Sequence, residues 1–238
     1  MRNLITGAAL AVGLAVASLA GGSAALASTH PNATPACGFN CFELSSLALG
    51  RHTIQNAYIP GDTGVGGKVG QKVNMINASN SHPNEDFVGA QVGTLINFCN
   101  TEENPTGLIP ANSYVCINYP SSYPVFESNW AAYGNQSGFC VGAALPVFTG
   151  ENVTLQNCGA SASTLWVGDL ANSTTHHGHL YTPWVNGAST AFSHPATLQV
   201  DPGTTRPINQ LKLAPLNTLT GNVSPDTQEF TLDFGPVA

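Results

Sequence analysis

Few residues in this chain have the types and spacing that chemistry needs. His176-His177-Gly178-His179 is a histidine cluster. Imidazole ligates zinc, copper or nickel, and in an extended segment His177 and His179 share a face. No His-Glu-x-x-His signature or cysteine set accompanies them. Two or three imidazoles alone make an incomplete shell, so neither a metal nor another cofactor is expected. The carboxylate pairs Glu85-Asp86 and Glu102-Glu103 are adjacent, so on a strand they point to opposite faces. A glycosidase needs two carboxyls facing each other across a sugar. Only residues distant in sequence, such as Asp169 and Glu127, could meet that requirement. Gly134-Asn-Gln-Ser137-Gly138 lacks the Gly-x-Ser-x-Gly spacing of a nucleophile elbow. No catalytic residue is assigned.

Binding needs less. A sugar presents hydroxyls and an apolar C–H face, so its site pairs polar side chains with an aromatic ring. Asp201, with Asn209 and Gln210 after it and Trp184 before it, offers that combination. Asp62 near Tyr58 offers a second. A turn-capping role explains either Asp equally well, and large aromatics are more often core than surface.

The elements that must position these residues begin after residue 27. Met1-Arg2-Asn3 is positive, Leu4 to Leu19 is apolar, and Ala25-Leu26-Ala27 is a small-x-small cleavage site. This reads as a signal peptide over residues 1–27, with Ser28 the first mature residue. Gly21, Gly22 and Ser23 interrupt the apolar run before it could span a bilayer, and no later stretch is apolar enough. Lys and Arg number 6 against 13 Asp and Glu, for a formal net charge of −7. So few cations cannot track a phosphate backbone, which excludes nucleic acid as a partner. All six cysteines lie beyond the leader, and an even count in an exported chain reads as disulfides. Proximity pairs Cys99 with Cys116, Cys140 with Cys158, and Cys37 with Cys41.

No helix signal of useful length follows the leader. Gly and Pro recur every few residues, with short alternating apolar runs between them, which is an all-β pattern. The expected strands fall into three groups of four. The first is Cys41–Leu49, His52–Ile59, Lys72–Asn77 and Phe87–Asn97. The second is Tyr114–Tyr119, Phe139–Leu145, Asn152–Asn157 and Leu165–Leu170. The third is Leu180–Val185, Ala196–Val200, Gln210–Ala214 and Glu229–Phe234. Each group carries an alternating strand (Val73-Asn-Met75, Val153-Thr-Leu155, Leu211-Lys-Leu213), then a turn-rich stretch, then an aromatic at Phe87, Trp166 or Phe230. Three such units suggest closure into one barrel-like body, a single domain over residues 28–238, with Trp166 buried and Phe87 and Phe230 in equivalent places. Asn100 to Gly138, rich in Pro and Tyr, reads as an insertion between the first and second units.

Gly138 to Asp169 resembles one repeat of the ricin-type β-trefoil lectins, in which a Gln-x-Trp motif closes each repeat. The matching triplets here are Glu85-Asp86-Phe87, Thr164-Leu165-Trp166 and Gln228-Glu229-Phe230. The third keeps the Gln and the second keeps the Trp. The Cys140–Cys158 spacing is also similar to that family's in-repeat disulfide. The resemblance implies a β-trefoil and sugar binding through an early Asp in a repeat, a place that Asp201 and Asp62 match and the second unit leaves without an Asp. The chain also resembles secreted actinobacterial proteins, through Cys37-Gly-Phe-Asn-Cys41 and Phe234-Gly-Pro236, which implies no biochemical role. The expected protein is therefore a secreted, monomeric, non-catalytic binder of an extracellular glycan or cell-surface component. An extracellular structural or interaction protein without a sugar site is the second reading, and a secreted hydrolase the third.

Overall fold

Alternation of apolar and polar residues, broken by Gly and Pro, becomes strand and turn along most of the chain. A computed structural model describes residues 42–49, 55–58, 67–77, 87–131, 137–190, 193–201, 209–217 and 224–234. They are predominantly β, in a curled antiparallel sheet. A first group holds β1 (Phe42–Ser46), β2 (Gln55–Tyr58), β3 (Asn74–Asn77) and β4 (Phe87–Thr94). A second holds β5 (Pro124–Trp130), β6 (Phe139–Gly142), β7 (Thr154–Asn157) and β8 (Trp166–Gly168). A short hairpin follows, β9 (Thr174–His176) and β10 (His179–Tyr181). A third group holds β11 (Trp184–Asn186), β12 (Ala196–Val200), β13 (Asn209–Pro215) and β14 (Phe230–Phe234).

Antiparallel pairs join the groups end to end: β4 with β5, β8 with β11, and β14 with β1. Within each group the two middle strands form a hairpin: β2–β3, β6–β7 and β12–β13. The three hairpins meet in a closed ring of backbone hydrogen bonds. The amide of Val73 donates to the carbonyl of Val153 at 3.0 Å, that of Val153 to Leu211 at 2.9 Å, and that of Leu211 to Val73 at 3.2 Å. All three side chains are fully buried. Three residues before two ring members stand Gly70 (φ 84°) and Gly150 (φ 90°), which donate to the carbonyls of Leu155 and Leu213. Only glycine holds that left-handed backbone without a Cβ penalty.

The ring side chains continue into a core containing Met75, Leu155, Leu213, Phe87, Trp166 and Phe230. Phe87, Trp166 and Phe230 each open the last strand of their group and are 1%, 5% and 0% exposed. The expected burial of these aromatics therefore holds. A second apolar cluster, including Leu95, Ile109, Val115, Leu165 and Val185, lies beneath the insertion.

Three expected strands are corrected. Tyr114–Tyr119 is not a strand but a short helix, α2 (Tyr114–Asn118), which follows another, α1 (Leu95–Phe98). Ser113 caps α2 by accepting the amide of Cys116 at 3.3 Å. Pro120 ends the helix by forcing Tyr119 into extended backbone. The second group's first strand is instead β5. The run Phe87–Asn97 likewise turns into α1 at Leu95, where Asn97 Oδ1 accepts from both the amide and the hydroxyl of Thr94. Leu180–Val185 is also two strands rather than one, because Pro183 has no amide to give to a ladder.

Cys99–Cys116 and Cys140–Cys158 are disulfides, with Cα atoms 5.8 and 4.9 Å apart and sequence separations of 17 and 18. The first ties α1 to α2. The second closes the β6–β7 hairpin. Cys37 and Cys41 lie outside the described residues. Among the described residues no helix is long and apolar enough to cross a membrane.

Candidate functional site

The third group's polar residues do not assemble into the expected sugar site. Asp201 follows β12, and its Oδ2 meets Lys212 Nζ at 2.5 Å, both side chains being about a third exposed. Gln210 donates its side-chain amide to the carbonyls of Val73 and Leu211, so it serves the hairpin ring. Asn209 is 9% exposed. Trp184 corrects the expectation most clearly. It is 6% exposed, its ring stands edge-on to Phe126 with centroids 4.9 Å apart, and it offers no stacking face to solvent. The physical reason is position: β11 pairs with β8 and β12 inside the sheet, so its large apolar residue turns into the core. Tyr58 lies on β2 opposite Asn74, and Asp62 lies outside the described residues.

The histidine cluster is a hairpin tip, not an extended run. His177 (φ 50°) and Gly178 (φ 86°) both take left-handed backbone, as a type I′ turn requires. His176 and His179 therefore face each other across the turn, and the expected sharing of a face by His177 and His179 is replaced by this pair. His176 also stands edge-on to Tyr181, 6.3 Å between centroids.

Glu127 and Asp169 are engaged within the fold. Glu127 Oε1 accepts from the amide of Gly159 at 2.9 Å and the hydroxyl of Thr164 at 2.6 Å. It lies beside the sulfurs of Cys140 and Cys158, but both are committed to their disulfide and hold no metal. Asp169 is 1% exposed and accepts from the amide of Ala171 and the side chain of Asn172. Glu229 is fully buried and its carboxyl is pushed up to about 8. Burial is the main cause. The negative charges of Asp226 and Asp169 add to it, and Ser224, close by but outside hydrogen-bond geometry, opposes it. Tyr119 is pushed up as well, first by burial and then by Asp169. A carboxyl this deeply enclosed meets no substrate.

The concavity with binding character was not foreseen. It is a half-enclosed cavity of about 50 Å³ in the curl of the sheet. Leu44, Phe126, Trp166, Trp184, Leu198 and Leu232 line it, from strands of all three groups, and Gly89 contributes no side chain. Trp166 satisfies its indole N–H at the carbonyl of Val141, 2.9 Å away. Trp184 does not: its Nε1 is buried with no partner, and so is the hydroxyl of Ser128, another lining residue. An unpaired buried donor costs about 1–3 kcal/mol, and the indole of Trp130, away from this cavity, is unpartnered in the same way. Sequence spacing carried no signal for this site, because its walls are drawn from strands far apart in the chain.

No family model and no curated protein matches the chain. Solved structures similar to it include two toxins. One is a mosquitocidal holotoxin, at 10% identity and a TM-score of 0.47, over 82% of this chain and 17% of that one. The other is the cytolethal distending toxin of Haemophilus ducreyi, at 9% identity and a TM-score of 0.44, over 84% of this chain and 86% of that one. The chain thus spans less than a fifth of the first protein's length.

What the arrangement offers chemically is enclosure. The cavity is apolar: Trp184 Nε1 and the Ser128 hydroxyl are buried behind its wall, and the Glu127 carboxylate is held by Gly159 and Thr164.

Proposed function

We propose that this chain is a secreted, non-catalytic binding protein on a single β-trefoil-like body, recognising a cell-surface component, carbohydrate included. The observation that carries the reading is the ring at Val73, Val153 and Leu211. Three four-stranded groups joined cyclically by equivalent bonds are what three degenerate repeats of a ricin-type trefoil require. The two disulfides fit export to an oxidising compartment. With Trp184 in the core, sugar affinity in the third unit rests on polar contacts alone. It is then shallow, about millimolar, and retention on a surface comes from several copies or sites acting together.

The test uses the secreted protein on a glycan array, on insoluble polysaccharides and on whole cells, wild type beside Asp201→Ala. Binding by the wild type with loss in the variant supports a glycan site at Asp201. Equal binding by both moves the site elsewhere on the same body. No binding to any surface leaves the extracellular structural or interaction protein as the better reading. The hydrolase reading predicts release of reducing sugar from the same polysaccharides.

A further inference from the structure

We propose that the tip of the β9–β10 hairpin is a surface site for a zinc-type divalent ion, with His176, His177 and His179 as its ligands and water completing the shell. The site uses none of the residues on which glycan binding at Asp201 would rest.

The turn is what gathers the imidazoles. An extended run divides these side chains between two faces. The two-residue turn at His177 and Gly178 instead sets His176 opposite His179 in the ladder. Residues paired across antiparallel strands point to one face, with Cβ atoms about 4.5–5.5 Å apart. The third ring is that of His177, whose left-handed backbone (φ 50°) leaves its imidazole 6.2 Å from that of His176 between centroids. Zinc bonds an imidazole nitrogen at about 2.0–2.1 Å, so two rings sharing one tetrahedral ion have centres roughly 5 Å apart. The three rings do not stand converged on one point, so the ion draws them together by side-chain rotation. Rotation has room, because His177 and His179 are exposed and His176 is half-buried.

The base of the hairpin is fixed. Tyr181 lies on the same face, two residues beyond His179, and is buried. It stands edge-on to His176, 6.3 Å between centroids. Next to it, Thr182 exchanges two backbone hydrogen bonds with Phe230 of β14, at 2.9 and 3.2 Å. An ion therefore meets ligands on an anchored ribbon, and less ordering is needed to bind it. The ligand type then selects the ion. Imidazole suits zinc, copper and nickel, whereas calcium, magnesium and manganese ask for oxygen. With a formal net charge of −7, the chain as a whole attracts a cation.

The experiment titrates the full secreted protein, carrying no affinity tag, with zinc chloride. Histidine ring signals by NMR and heat by calorimetry report binding. Zinc is expected to shift the rings of His176, His177 and His179 together and saturably, and magnesium to shift none of them. His176→Ala and His179→Ala should each weaken the site at least about tenfold, since even the hydrogen-bond partners of a metal ligand are worth about 10–100-fold. Gly178→Pro is the deciding variant. It keeps all three imidazoles, but proline cannot hold the φ of 86° that closes the turn. It should lose zinc as the alanine variants do, with the far-ultraviolet circular dichroism of the body retained. Should that variant not fold, His177→Asn is the smaller change. Asparagine accepts the turn's backbone and keeps the His176–His179 pair, so zinc should weaken severalfold without being lost. No saturable shift at these three rings overturns the proposal. Zinc bound as tightly by Gly178→Pro as by wild type also overturns it, because the histidines would then bind adventitiously and not through the hairpin. Failure here leaves surface binding intact, and loss of surface binding leaves this result intact.

Discussion

The amide of Val73 donates to the carbonyl of Val153, 3.0 Å away and 80 positions along the chain. That bond is one of those linking the first hairpin to the second, and Leu211 completes the circuit from the third. Each hairpin thus finds the acceptor for its innermost amide on one of the others and the donor to its innermost carbonyl on the remaining one. The groups cannot bury their faces separately, so the body should fold as one cooperative unit.

Val153→Pro tests that dependence directly. Proline removes the amide that Leu211's carbonyl accepts and leaves that carbonyl buried. Stability should fall by about 3 kcal/mol or more, read from urea unfolding followed by far-ultraviolet circular dichroism. A midpoint equal to wild type would mean that the ring contributes nothing.

Trp166→Ala should cost about 3–5 kcal/mol, because it deletes a large core side chain and leaves a cavity. It also orphans the carbonyl of Val141. Trp166→Phe keeps most of the volume and loses the hydrogen bond, so its smaller deficit isolates the polar part. Chemical denaturation of both variants provides the comparison, and equal losses would show that packing has little share.

Glu229 makes stability depend on pH. Its carboxyl sits near 8 in the folded protein against an ordinary value of 4.5. Between those limits the unfolded chain is ionised while the folded chain stays protonated, so the unfolded state binds fewer protons. Stability therefore falls as pH rises from about 4.5 to 8, by several kcal/mol at the outer limit. Glu229→Gln removes the group that titrates. Urea midpoints at pH 5 and pH 8 should be further apart for wild type than for the variant, and the variant should be the more stable at pH 8. Identical slopes would place the ionised form of Glu229 in the fold.

Replacing Cys140 and Cys158 together with serine opens a loop spanning 18 positions. The loss should be about 3 kcal/mol in the chain-entropy estimate. Thermal unfolding of the double variant beside wild type measures it. Cys140 is fully buried, so a larger loss than the Cys99, Cys116 double variant shows would assign part of the effect to packing.

What the sequence alone determined was local. Side-chain alternation at Val73/Met75, Val153/Leu155 and Leu211/Leu213 reports the pleat of a strand whatever lies across from it. Proximity sufficed to pair Cys99 with Cys116 and Cys140 with Cys158, since both bridges close short loops within one stretch of chain. Burial of Phe87, Trp166 and Phe230 followed from their repeated place after an alternating strand. The tertiary structure decided what depends on distant partners. Tyr114–Asn118 has apolar residues that suit a strand, yet Ser113, Pro120 and the bridge to Cys99 make it a helix. His176 meets His179 only because His177 accepts left-handed backbone. Trp184 could have faced a sugar. Instead it packs on Phe126, 58 positions earlier, because pairing of β11 inside the sheet leaves its side chain the core as its place. Burial of that kind is a sum over neighbours supplied by all three groups, and no window of sequence contains them.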